Sequence, residues 1–229
     1  MTGNSVLDLI LSADQTLFAI VRLSLAVTLL ATLLAAIVGM PFGAAAALNR
    51  FPGRTALIVV LNAMMGLPPV VVGLIVFLTL SRSGPLGRLG LLFTPTAMVI
   101  AQALLIAPII AALTRQVVED LWAEYRDELS AMELAPLHRV TTLLWDARFS
   151  LVTILLAGFG RAAAEVGAVM IVGGNIAGST RMMTTTIALE TSKGNLALAI
   201  GLGLVLIAII MTINVLAWAL RQWAERHAG

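Results

Sequence analysis

Residues 17–48 read LFAIVRLSLAVTLLATLLAAIVGMPFGAAAAL, a run carrying one charge, Arg22. A helix needs about 20 apolar residues to cross about 30 Å of hydrocarbon. Continuous apolarity, without alternation of polar and apolar positions, predicts helix rather than barrel strand. Four more such runs follow at 56–80, 91–113, 149–172 and 196–220. The expected fold is an all-α integral membrane protein with about five transmembrane helices in a single domain, 1–229. Within the first run Ala31, Ala35, Gly39, Gly43 and Ala47 recur every fourth residue, a row that lets another backbone approach closely. Gly160, Ala164 and Ala168 repeat the device in the fourth run.

Composition agrees with this class. Apolar residues make up 60% of the 229 positions and charged residues 11%, where soluble domains carry about a quarter charged. A net charge of +2, spread over short loops, reads as membrane topology rather than a nucleic-acid footprint. No cysteine is present, which excludes disulfides and thiolate metal sites. The N-terminal MTGNSVLDLI has no basic residue before its first acid, so the first span is expected to be retained and not cleaved as a signal peptide.

Loop charge orients the spans. Arg50, Arg54, Arg115, Arg126, Arg139, Arg148, Arg221 and Arg226 fall on one side; Arg82, Arg88, Arg181 and Lys193 fall on the other. The positive-inside rule then predicts the N-terminus outside and the C-terminus in the cytoplasm. The polar stretch 114–148 is thereby cytoplasmic. VVEDLWAEYRDELSAMELA sets Leu121, Tyr125, Leu129 and Met132 along one helical stripe, Pro136 interrupts it, and LHRVTTLLWDARF resumes the pattern. Such a helix-turn-helix either docks onto a partner or lies on the membrane surface as a connector. Only RQWAERHAG follows the last span, so no regulatory C-terminal domain is expected.

Few residues inside the spans can carry chemistry. Pro68-Pro69 removes two backbone donors and predicts a break in the second span. Such breaks are tolerated at membrane depth only inside protein or along a cavity. Arg22, Arg161 and Glu165 are the intramembrane charges. Arg161 and Glu165, four apart, either neutralise each other or serve an anion path. The segment GGNIAGSTRMMTTTIALETSKGN offers Asn175, Arg181, Thr184, Thr185 and Thr186. Its donors suit a tetrahedral oxyanion, unless the glycines only make turns and the hydroxyls only satisfy backbone. No phosphate-binding G-x-x-x-x-G-K-[ST] occurs, and both histidines, His138 and His227, lie outside the spans. ATP binding by that motif and a histidine metal site are therefore not expected on this chain; nor is any cofactor. Glu165 alone is too sparse for a proton relay, and five spans do not divide into two equal inverted halves.

The block GFGRAAAEVGAVMIVGGNIAGSTRMMTTTIALETSKGN at 158–195 resembles the signature region of the molybdate/tungstate group of ABC-importer permeases. The shared pattern is Gly-Phe, Arg, Glu-x-Gly-Ala, then Gly-Asn-Ile-x-Gly-x-Thr-Arg, and residues 182–191 resemble the tungstate branch. GLPPVVVGL at 66–74 and SRSGPLG at 81–87 are similar to the same group. The resemblance implies a type I importer permease working as a homodimer in a bacterial-type cytoplasmic membrane. Two ATP-binding subunits inside and a solute-binding protein outside are its implied partners, and tungstate, molybdate or sulfate its implied cargo. An ATP-independent anion facilitator is the rival of a different class. The family's coupling helix carries Glu-Ala-Ala, three residues, then Gly. Aligned on Glu128, this chain has Glu128-Leu129-Ser130, Leu134 at the glycine position, then Ala135, and Asp146-Ala147 in place of a Leu-Pro ending. By position, Glu128, Leu129, Ser130, Leu134, Ala135, Pro136 and His138 are the expected ATPase-coupling residues. Arg161, Glu165, Asn175, Arg181, Thr184, Thr185, Thr186, Pro68 and Pro69 are the expected pathway or gate.

Overall fold

A computed structural model describes residues 15–132 and 135–227. The N-terminal stretch read above and Leu134 lie outside the described residues.

The first long helix, α1 (Gln15–Leu48), runs through Pro41 without interruption. Two shorter helices follow, α2 (Arg54–Met64) and α3 (Pro69–Leu80), which meet at 101°. Pro68 holds extended backbone and Pro69 opens α3, where its missing N–H costs nothing. The second apolar run is thus a broken one. Then α4 (Pro95–Ala131) starts on a Thr94 cap and continues past Pro108. At 37 residues it extends about 55 Å, well beyond the hydrocarbon thickness. No break separates the expected third span from the charged stretch after it: 114–131 is the same helix.

Next in the described chain is α5 (Pro136–Asp146), which meets α6 (Arg148–Ala163) at 78°. The expected fourth span divides again at 164–166, beyond which lies α7 (Gly167–Gly173). Helices α8 (Met183–Ser192) and α9 (Leu196–His227) complete the described chain. Three helices are long and apolar enough to cross a membrane by themselves, and up to five spans result if each bent pair counts as one.

The core forms where α1, α3, α4, α6 and α7 converge on Val27, Ala31, Val72, Met98, Ile106, Ile154 and Val169. Of the apolar window in α4, 61% is buried, against 17% in α9, so α4 is the central post and α9 a peripheral one. The α1 row of small residues is buried throughout, and it faces α4. A Cβ on Gly43 would lie 2.3 Å from the Ala111 carbonyl oxygen, and one on Gly39 2.9 Å from that of Ala107. The second row does not act as one. Ala164 is exposed in the break, Ala168 lies beyond it on α7, and nothing lies within 4 Å of where a Gly160 Cβ would sit. Ala168 instead meets Gly73 of α3, whose Cβ would come 2.7 Å from its Cα.

Candidate functional site

The two interrupted runs pack against each other. A Cβ on Gly167 would lie 2.9 Å from Val70 Cγ2 and 3.7 Å from both the Val70 nitrogen and Glu165 Oε1. The Pro68-Pro69 elbow therefore sits on the 164–166 break. In that break Glu165 is 3% exposed and uses both carboxylate oxygens. Oε2 accepts from Arg161 Nη1 at 2.8 Å, and Oε1 accepts the Ala168 N–H at 3.0 Å, capping α7. Its carbonyl accepts the Thr184 hydroxyl at 2.9 Å. Gln102 of α4 donates Nε2 to the Ala162 carbonyl at 3.0 Å, satisfying the end of α6. Exposed backbone at membrane depth is costly unless protein groups answer it, and here Glu165, Thr184 and Gln102 do so. Arg161, with 34% of its side chain exposed, holds the open edge of this cluster.

The turn between α7 and α8 is built on Thr180. Its hydroxyl accepts the Ile176 N–H at 3.0 Å and donates to the Gly173 carbonyl. Gly174 and Gly178 take positive φ, as does Asn175 at 49°. Asn175 Nδ2 donates to the Thr185 carbonyl and Arg181 Nη2 to the Asn175 carbonyl, each at 3.4 Å. Of the two readings of the threonines, the hydroxyl geometry follows the bland one. Thr185 and Thr186 both donate to the Met182 carbonyl, at 3.1 and 2.6 Å, and Thr184 to Glu165. Those protons are spent inside the protein. Arg181 differs, because its buried Nε has no partner among the described residues. The turn is tied to α1 by the Met183 N–H, which donates to Ser24 Oγ at 2.8 Å. Beyond α8, Lys193 and Asn195 bond Glu190 at 2.8 and 3.0 Å, and the Lys193 contact first of all holds that carboxyl below its usual range.

At the charged end of α4 a second small core joins Ala44, Ala47, Val118, Leu129 and Leu143, with Leu121, Tyr125 and Val140 against it. Three members of the expected stripe, Leu121, Tyr125 and Leu129, pack there. Met132 does not: it is 65% exposed, because the helix ends at Ala131 and the chain turns away. Arg54 closes the α1 terminus, donating to the Ala46 and Ala47 carbonyls, and it pairs with Glu119, which also pairs with Arg115. The Arg139 guanidinium stacks on Trp122, 5.8 Å from the ring centroid, and fastens α5 to α4. Glu128, Ser130, Ala135 and His138 are exposed around this corner, Pro136 opens α5, and Leu129 faces inward. Leu137 and Trp145 on α5 are 73% and 72% exposed, which no sequence pattern singled out.

Among the described residues no group of histidines, cysteines and carboxylates could hold a metal ion. No family model matches the chain. Curated relatives do. The chain is 39% identical over 218 residues to the tungstate uptake system permease protein TupB of Peptoclostridium acidaminophilum, covering 95% of this chain and 96% of that one. It is 40% identical over 218 residues to a probable anion ABC transporter permease protein of Haloferax volcanii, covering 93% and 94%. It is 35% identical over 216 residues to the tungstate uptake permease TupB of Campylobacter jejuni, covering 94% and 90%.

Proposed function

Since the chain belongs to the tungstate-uptake family of ABC-transporter permeases, we propose that it is the membrane conduit of an importer that moves tungstate into the cytoplasm. The observation that carries this reading is a likeness to tungstate permeases running along nearly the whole chain. The protein sits in the cytoplasmic membrane with its N-terminus outside. Two copies form the pathway, two ATP-binding subunits attach inside, and a solute-binding protein delivers the anion from outside. ATP-driven closure of the ATPase pair moves the corner between α4 and α5, and the bundles rock between outward and inward access. The two stacked breaks are the part best able to move, since short helices joined at elbows shift more readily than a continuous span. Arg161, Glu165 and the 175–186 segment, with Pro68 and Pro69, form the pathway or its gate.

Coupling falls to the corner at Glu128, Ser130, Ala135, Pro136 and His138, with Leu129 anchoring it from inside. Leu137 and Trp145 extend it as an apolar surface next to polar residues, the arrangement of a protein-binding face. Leu137→Asp is expected to lower ATP-driven uptake at least tenfold and to release the ATPase subunit during purification, while the permease keeps its melting temperature. Wild-type uptake by this variant removes the surface from the coupling role.

The reading as a whole is tested by tungstate accumulation in membrane vesicles, with the ATPase and binding protein supplied or withheld and molybdate and sulfate as competitors. Uptake that needs ATP and both partners, and that tungstate saturates first, is expected. Uptake without ATP makes the protein a facilitator; preference for sulfate or molybdate moves the cargo to that anion.

A further inference from the structure

The unspent hydrogen-bond donors near the 174–182 turn converge on one cleft. It lies between the first turns of α1 and that turn, has a volume of about 370 Å³, and is open on one side. Arg22, Arg181, Ser179 and Gly178 line it, and no carboxylate among the described residues does. Arg22 is exposed and has no hydrogen bond or ion pair among the described residues. Arg181 commits one nitrogen to Asn175, while its buried Nε has no partner among the described residues. Glu190, whose carboxyl feels the Arg181 charge, is already held by Lys193 and Asn195. Thr184, Thr185 and Thr186 do not supply donors, because their protons go to protein carbonyls. An arginine placed in an apolar helix without a counter-charge is costly. The guanidinium forks of Arg22, on α1, and Arg181, in the turn, offer N–H groups at one cleft that match the oxygens of a tetrahedral anion.

We propose that this cleft is a receiving site for a tetrahedral oxyanion dianion, bound by Arg22 and Arg181 at the outer mouth of the permease. The proposal rests on the transport reading above and adds a station to it. An anion released by the binding protein is held there before entering the path between the bundles. At about 30 Å³ per water, the cleft has room for the anion with part of its hydration shell. Such a loosely enclosed site captures its ligand without trapping it.

A phospholipid headgroup presents the same phosphate-like chemistry, so the test separates the two sources. The permease–ATPase complex is placed in nanodiscs of uncharged phosphatidylcholine or of phosphatidylcholine with phosphatidylglycerol, without binding protein. Equilibrium dialysis then measures bound tungstate, molybdate and sulfate, beside uptake by the complete transporter. Saturable binding of the transported anion in uncharged discs is expected, weakened about tenfold or more in Arg22→Gln and in Arg181→Gln. Arg22→Lys, which keeps charge but loses the fork, is expected to fall between. Unchanged binding in Arg22→Gln, with wild-type thermal stability, overturns the site. So does an anionic-lipid requirement that tungstate does not compete away. If the wild-type transporter imports none of the three anions, the transport reading itself has failed. Failure confined to the variants concerns the cleft alone.

Discussion

Replacing Gly43 with leucine is expected to abolish accumulation of folded protein in the membrane. The side chain has nowhere to go: a Cβ alone would lie 2.3 Å from the Ala111 carbonyl oxygen and 3.1 Å from the Arg115 nitrogen. Both are backbone atoms of the central helix, so no rotamer change relieves the clash. To restore an ordinary carbon–oxygen contact of about 3.3 Å, α1 must retreat from α4 by about 1 Å. In a bilayer, where helix association depends on close packing rather than on water expulsion, that retreat weakens contacts along the whole interface. Overpacking by smaller amounts costs about 1–3 kcal/mol, and a leucine is expected to exceed that. Gly43→Ala should lower the melting temperature in detergent, and Gly160→Ala, with open space around it, should leave it nearly unchanged. Fluorescence-detected size exclusion and thermal melts measure all three. Wild-type yield and melting temperature for the leucine variant contradict this account of the α1–α4 interface.

Glu165→Ala is expected to remove transport and to destabilise the bundle by about 2–4 kcal/mol, the sum of a lost helix cap and a cation left without its partner. The figure is held below that for a fully buried pair because a third of the Arg161 side chain is exposed. Glu165→Gln keeps an acceptor for the Ala168 N–H and should recover part of the stability. The double variant Arg161→Gln/Glu165→Gln distinguishes the two roles of the pair. It leaves no unpaired charge, so its melting temperature should approach the wild-type value. If the pair only neutralises itself, transport returns as well. If Arg161 serves the anion, as proposed, uptake stays at least tenfold down in a protein that melts normally. Full recovery of uptake by the double variant refutes the pathway role.

Much of the fold was legible because membrane insertion imposes rules on sequence that hold residue by residue. An apolar run of sufficient length must be helical, two adjacent prolines must break it, and small residues every fourth position must lie on one face. The α1 row and the Pro68-Pro69 elbow follow from such local rules. Local rules fail where a helix is not continuous. Gly160, Ala164 and Ala168 share a face only if the helix persists, and it stops at Ala163. Met132 belongs to the Leu121 stripe only if α4 continues through it, and α4 ends at Ala131 with Met132 as its cap.

Local rules say nothing about which distant residues meet. The packing of the 164–166 break on the Pro68-Pro69 elbow, through Gly73 and Gly167, depends on contacts spanning about a hundred positions. The cleft that Arg22 and Arg181 both line joins residues still farther apart in the sequence. Hydroxyl chemistry behaves likewise: Thr184, Thr185 and Thr186 have the same composition whether they face an anion or a carbonyl, and only the tertiary structure chose the carbonyls. The sequence alone determined a helical membrane protein of about five spans, with a broken second run and sparse intramembrane charge. Bilayer hydrophobicity and backbone hydrogen bonding act on each segment separately, which is why those features could be read. The tertiary structure decided where the two breaks meet, where Glu165 is buried and which cleft Arg22 and Arg181 share, because those positions are fixed by packing between segments.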